Sequence, residues 1–163
     1  MSEIICGKAL KYGDNINTDI ISPPQYMELS IQDAAPFAMS VVDPDFAEKT
    51  KTNQIFVAEK NLGSGSSRET APLTLKYLGV KVIVAEFFAR IFYRNCINIG
   101  LLVIECAQAS KISEGDELEI DPVNGLIKNN TKVESYECDN IPDHIFSLIS
   151  SGGLIGYLKQ EKG

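Results

Sequence analysis

The chain has 163 residues, a formal net charge of −7, four cysteines and one histidine. That length suits one domain with a real core, and the acidic balance argues against a nucleic-acid binder, whose affinity rests on basic surface. Cys6, Cys96, Cys106 and Cys138 form no Cys-x-x-Cys pair, so a structural zinc site is not expected.

The start, Met-Ser-Glu-Ile-Ile-Cys, has no basic region followed by a long apolar run, and no stretch approaches a membrane span. A reducing cytoplasm with free thiols is the expected setting. No repeat, low-complexity tract or linker divides the chain, so residues 1–163 are expected to form a single domain.

Ile4–Lys11 reads as an edge strand and Gly13–Asn17 as a turn. Pro23-Pro24 predicts extended backbone over Thr18–Pro24. A helix broken by Pro36 is expected around Ile31–Ala38, then a turn and short helix over Val41–Thr50. Gln54–Glu59 has the apolar core Ile-Phe-Val-Ala and reads as a buried strand.

Behind it lies Asn61–Pro72, Asn-Leu-Gly-Ser-Gly-Ser-Ser-Arg-Glu-Thr-Ala-Pro, and then a short helix over Ala71–Leu78. Two glycines, three serines and an arginine thus crowd a strand-to-helix turn. Glycines admit positive φ and close approach of a ligand to the backbone. Free N–H groups at a helix start attract anions, and a guanidinium suits a carboxylate or phosphate. Ser66 and Glu69 also fit a capping box. On that reading Pro72 falls in the second turn, where proline costs about 3 kcal/mol. The regular helix is therefore expected to begin near Thr70, which frees Ser66 and Ser67 from capping. Gly63-x-Gly65 lacks the third glycine of a dinucleotide fingerprint, and no Gly-Lys-Ser/Thr follows as in a Walker loop. On residues alone, a ligand-binding turn and a structural turn both remain open.

After Gly79, Val80–Ala85 is strongly β-branched and reads as a buried strand parallel to the preceding one. Phe87–Asn95 is expected as a helix, with Phe88, Ile91 and Phe92 as its core face and Arg90 and Arg94 on another. Leu101–Glu105 is the next strand. Glu117–Asp121, Leu126–Lys128 and Lys132–Tyr136 form a small antiparallel meander, turned at Asn124-Gly125. Pro142–Ser151 reads as a helix capped by Gly152-Gly153, with His144 a surface residue. The pattern is α/β.

Three segments carry a resemblance. Asn-x-Gly-x-Gly-Ser-Ser-Arg-Glu resembles the active-site loop of the swivelling domain in the aconitase superfamily. Gly13–Pro23, Gly-Asp-Asn-Ile-Asn-Thr-Asp-Ile-Ile-Ser-Pro, resembles that family's N-terminal Asp-x-x-Thr-Asp segment. Phe88–Gly100 resembles its second conserved block. Order and spacing agree from about Gly7 to Leu158, best with the separate small subunits of 3-isopropylmalate dehydratase, methylmalate dehydratases and homoaconitase.

The resemblance implies a layered β/β/α swivelling domain. It implies a hydro-lyase acting on a small hydroxy-diacid, above all the isomerisation of 2- and 3-isopropylmalate in leucine biosynthesis. A methylmalate dehydratase (citramalate or 2,3-dimethylmalate) or homoaconitase subunit is the enzymatic alternative, and an anion-binding regulatory module the non-enzymatic one. The implied partner is a large subunit carrying a [4Fe-4S] cluster, with no metal held by this chain. By position, Ser66 matches the proton-abstracting serine and Arg68 the carboxylate-binding arginine. Ser67 and Gly65 match its binding neighbours, and Thr18 and Asp19 lie at the site margin. Tyr26-Met27-Glu28-Leu29 corresponds to the substrate-selecting loop. No arginine precedes Arg68, and burying a third carboxylate unpaired is costly, so an alkyl-substituted malate is expected. Met27 and Leu29 are the expected lining, with Glu28 facing solvent. Thr70, Phe87 and Leu62 depart from the residues common in the family, where histidine or glutamine, serine, and an aromatic are usual.

Overall fold

The computed structural model describes residues 4–65, 69–141 and 145. Among these, seven strands form one sheet in the order β4-β3-β2-β1-β5-β6-β7. β1 is Ile5–Lys11, β2 Ile55–Val57, β3 Val82–Ala85, β4 Leu102–Glu105, β5 Glu117–Asp121, β6 Leu126–Asn129 and β7 Glu134–Glu137. The expected edge strand is therefore the central one. Its first half, Ile5–Lys8, pairs antiparallel with β5, and its second half, Ala9–Lys11, pairs parallel with β2. Gly7 sits where the partner changes, and a Cβ there would lie 3.2 Å from Ile55 Cδ1. The missing side chain leaves room for Ile55 at this junction.

Alternation along the parallel strands supplies two apolar faces. Leu10, Phe56, Ile83 and Val103 join a core with α4 (Thr70–Tyr77) and α5 (Arg90–Asn98). Ala9, Ile55, Val57, Val82, Val84, Leu102 and Ile104 join a second core with Leu118, Ile120, Ile127 and Tyr136 of the antiparallel strands. Helices, parallel sheet and antiparallel sheet thus make the expected β/β/α layers. The meander is a continuation of the main sheet, not a separate one. Gly125, at φ +71°, turns β5 into β6 as the Asn-Gly pair predicts.

Two local readings need correction. Thr18–Ile21 is not extended but a helical turn, α1, capped by the Asn17 side chain, which accepts from the Ile20 N–H at 2.9 Å. Extended backbone is confined to the residues against the prolines, with Pro23 at φ −59° and ψ 135°. α5 begins at Arg90, three residues later than expected, so Ile91 is 54% exposed while Phe92, Cys96 and Ile97 point inward. The helix over Ile31–Ala38 is, as expected, interrupted near Pro36: α2 is Ile31–Ala34, followed by a 3-10 turn at Ala35–Phe37, and α3 is the short helix Phe46–Lys49. The helix and histidine expected over 142–151 lie outside the described residues, apart from Ile145.

Asp43, 8% exposed, ties the irregular 24–50 segment to Tyr12, the residue that follows β1. It accepts from Tyr12 Oη at 2.6 Å and from Lys49 Nζ at 3.0 Å. Burial pushes its carboxyl up, but bonds from Tyr12, Lys49 and the Asp45 N–H outweigh this and hold it below the ordinary carboxylate range. A carboxyl lowered on folding stabilises above its unfolded pKa, and that stability is lost as pH falls through the folded value. Asp43→Asn is therefore expected to cost about 1–3 kcal/mol at neutral pH. The gap to wild type should close progressively below about pH 4. Urea unfolding across pH checks this; a gap independent of pH would contradict it.

Candidate active site

Loops leaving the carboxyl ends of β1, β2 and β3 meet at one edge of the parallel sheet, the edge where open α/β sheets place ligands. The segment after β1 runs beside the loop after β2. The Asn15 N–H donates to Lys60 O at 2.8 Å, and the Lys60 N–H to Asp14 Oδ1 at 2.9 Å. The Gly63 N–H donates to Ile16 O at 2.7 Å, and the Thr18 N–H to Ser64 O at 2.9 Å. Asn15 and Asn61 both take positive φ, 59° and 58°, a conformation asparagine tolerates. Their side-chain amides bond at 3.2 Å.

The other flank is held by the segment after β3. Leu62, fully buried, donates its N–H to Phe87 O at 3.1 Å and accepts from the Ala89 N–H at 2.9 Å. Gly63, at φ +87°, lies flat against the Phe92 ring.

These clamps deliver Gly65, at φ +103°, to Thr18. A Cβ on Gly65 would sit 3.3 Å from Thr18 Oγ1. Thr18 is 2% exposed, whereas Asp19, next in α1, is exposed. Past the loop, Ser22 Oγ donates to Thr70 Oγ1 at 3.3 Å, joining the end of α1 to the start of α4. The helix does begin at Thr70, with Pro72 in its first turn and Glu69 at its N-cap. The structure thus brings Thr18 to one flank of the Gly-rich turn and Ser22 to the start of α4 beyond it. Ser66, Ser67 and Arg68 lie outside the described residues.

Tyr26–Leu29 lies on the surface ahead of α2, which packs on α4. Tyr26 stacks on Phe37 with ring centroids 4.1 Å apart. Glu28 is exposed, and Met27 and Leu29 are 48% and 45% exposed, so this chain alone does not enclose the expected apolar lining. Sequence reasoning did not identify the Asn15–Asn61 and Ser22–Thr70 contacts. The only local hint was asparagine and serine among turn residues; the fold supplies the pairing.

Among the described residues, no group of three or more His, Cys, Asp or Glu side chains is placed to hold a metal ion. Cys96 and Cys106 are buried, and burial raises both thiols. Burial and neighbouring acidic groups push Cys138 up to about 12. Among the described residues, no helix is long and apolar enough to cross a membrane.

A mixed sheet with helices on one face, folded over by its antiparallel limb and presenting this loop, is the architecture of an aconitase C-terminal domain. The model of that family matches residues 8–109. The 3-isopropylmalate dehydratase small subunit of Clostridium beijerinckii is 49% identical, the match covering 94% of this chain and 96% of that one. The isopropylmalate/citramalate isomerase small subunit of Methanocaldococcus jannaschii is 46% identical, over 99% and 97%. The crystal structure of 3-isopropylmalate dehydratase (leuD) from the same archaeon superposes with a TM-score of 0.92 at 38% identity, over 98% of this chain and 96% of that one. The chain belongs to the aconitase C-terminal domain family, in its branch of 3-isopropylmalate dehydratase small subunits.

Proposed function

We propose that this chain is the small subunit of a hydro-lyase that interconverts 2- and 3-isopropylmalate in leucine biosynthesis. It acts only with a large iron–sulfur subunit, in the cytoplasm. The observation that carries this reading is the loop Asn61–Gly65, held against Thr18 at the carboxyl edge of the sheet, in a chain 49% identical along nearly its whole length to a dehydratase small subunit.

In this reading Ser66 takes the carbon-bound proton of the substrate, and Arg68 clamps a substrate carboxylate through a bidentate pair. Ser67 and the Gly65 backbone complete the anion site, with Thr18 and Asp19 at its margin. A [4Fe-4S] cluster held by the large subunit would supply the Lewis acid for the departing hydroxyl; among the described residues of this chain no group of three or more His, Cys, Asp or Glu is placed to hold a metal. Met27 and Leu29, left half-exposed here, face the alkyl substituent once the large subunit closes the site.

A second reading, citramalate as an additional substrate, is favoured by the archaeal relative whose name carries both substrates. A methylene in an apolar pocket discriminates by only about 1–3 kcal/mol, so both alkyl malates are compatible with Met27 and Leu29.

The test is anaerobic reconstitution with the large subunit. The isolated chain is expected to fold and to show no turnover; turnover by the metal-free chain alone would defeat the proposal. In the reconstituted pair, kcat/KM should be highest for 3-isopropylmalate or citramalate. Both citrate and homocitrate should trail, because Glu28 and the lack of an arginine before Arg68 leave a third carboxylate unpaired. A preference for either tricarboxylate would refute the alkyl assignment.

A further inference from the structure

We infer that the face formed by Phe87, Arg90, Ile91 and Arg94 is the docking surface for the large subunit, and that it engages an apolar socket rimmed by carboxylates. The inference rests on the proposed function and adds to it the surface and the chemistry of the partner.

The face stands beside the loop. Phe87 is hydrogen-bonded through its carbonyl to Leu62, the residue that leads into Gly63. Whatever seats on Phe87 therefore lies next to the candidate active site, where a subunit completing that site must come. Phe87 and Ile91 are 56% and 54% exposed, although they flank a well-packed core. Phe87 is a ridge between two surface clefts. One, of about 410 Å³, is lined by Phe88, Arg90, Tyr93, Arg94 and Glu105, and the other, of about 390 Å³, by Lys60, Asn61, Glu86 and Ala107.

Charge sets the partner's chemistry. Arg90 and Arg94 are four residues apart on α5, so their side chains are neighbours on one helix face. Among the described residues neither guanidinium has a hydrogen bond or ion pair. The carboxylate in their cleft, Glu105, is engaged by the Phe88 N–H at 3.1 Å. Two uncommitted arginines in a chain of net charge −7 form a local positive patch against an acidic background. Both are exposed, so a small anion would remain in water, where a single ion pair is weak. A protein surface would instead exclude water around them, and an aromatic with flanking arginines is the usual composition of an interface hot spot.

The experiment measures association of the small subunit with the anaerobically purified large subunit of the same enzyme, together with kcat at saturating large subunit. Arg90→Glu/Arg94→Glu is expected to raise Kd at least about 100-fold, and Phe87→Ala about 10- to 30-fold. Saturating kcat should stay within about twofold, because these side chains touch no substrate. Arg90→Gln/Arg94→Gln should flatten the weakening of association between about 0.05 and 0.5 M salt. This neutral pair keeps the test valid if charge reversal disturbs folding. Unchanged Kd in the variants, or a normal Kd with a fallen kcat, overturns the inference while leaving the proposed function standing. Failure of the wild-type chain to associate at all would overturn both.

Discussion

Gly63→Ala is expected to destabilise the chain by about 2–4 kcal/mol and to abolish activity of the reconstituted pair, although it adds one methyl group. The added Cβ would fall 2.2 Å from Phe92 Cγ and 2.4 Å from Phe92 Cβ. Phe92 is 2% exposed and stacks on Phe88, with centroids 6.4 Å apart, so it has no free direction in which to move. The backbone at φ +87° adds strain of its own for any L side chain. If the loop shifts instead, it loses the Gly63–Ile16 bond at 2.7 Å and the Thr18–Ser64 bond at 2.9 Å that hold it against α1. Two other glycines separate clash from strain. A Cβ at Gly13 meets nothing within 4 Å, and its φ lies outside the strained range, so Gly13→Ala should be nearly neutral. Gly115 is equally open but sits at φ +85°, so Gly115→Ala should cost only the backbone strain, about 1 kcal/mol. Urea midpoints of the three variants test the series. A Gly63→Ala midpoint equal to that of Gly115→Ala would mean that Phe92 yields and the clash is not decisive.

Parts of this fold were legible because the determinants are local. Pro72 excludes a helix starting at Ser66, and α4 begins at Thr70 as that argument requires. Asn124-Gly125 fixes a hairpin, and Val-Ile-Val-Ala a buried strand. What was misread depends on distant partners. In β1, Cys6 is exposed while Ala9 and Leu10 are fully buried, because the strand changes neighbours midway. That mixture looks like an edge strand when read alone. Ile91 fits a helical core face only if the helix starts at Phe87. Tertiary structure instead uses Phe87–Ala89 to bridge Leu62, which delays the helix to Arg90 and turns Ile91 outward.

The site divides the same way. The two glycines announce a special backbone, and both take positive φ. Composition gives no reason why Thr18 should meet Gly65, since that contact joins residues far apart in sequence. Only the resemblance paired those segments in advance, and the hydrogen bonds along residues 13–18 now give the physical reason: the segment is a template on which the loop is laid.

Ser66→Ala in the reconstituted pair should lower kcat at least about 10²-fold while leaving KM for 3-isopropylmalate within a few-fold. A hydroxyl is a poor base unless its alkoxide is stabilised, and a guanidinium two residues away with a glycine-opened backbone is a suitable source of positive potential. On the proposed roles, removing the hydroxyl takes away the proton acceptor and leaves the carboxylate clamp, so the loss falls on the chemical step. The competing role is capping, whose removal costs about 0.5–2 kcal/mol of stability with no effect on rate. The structure weakens that alternative, since α4 has Glu69 at its N-cap. Wild-type enzyme in heavy water should exchange the substrate's carbon-bound hydrogen, and the alanine variant should not, at an unchanged melting temperature. Arg68→Lys should behave differently. It keeps the charge and loses the planar fork, so KM should rise along with a fall in kcat. Retained hydrogen exchange in Ser66→Ala would move the base to another residue, and near-normal kcat/KM in Arg68→Lys would make that arginine structural.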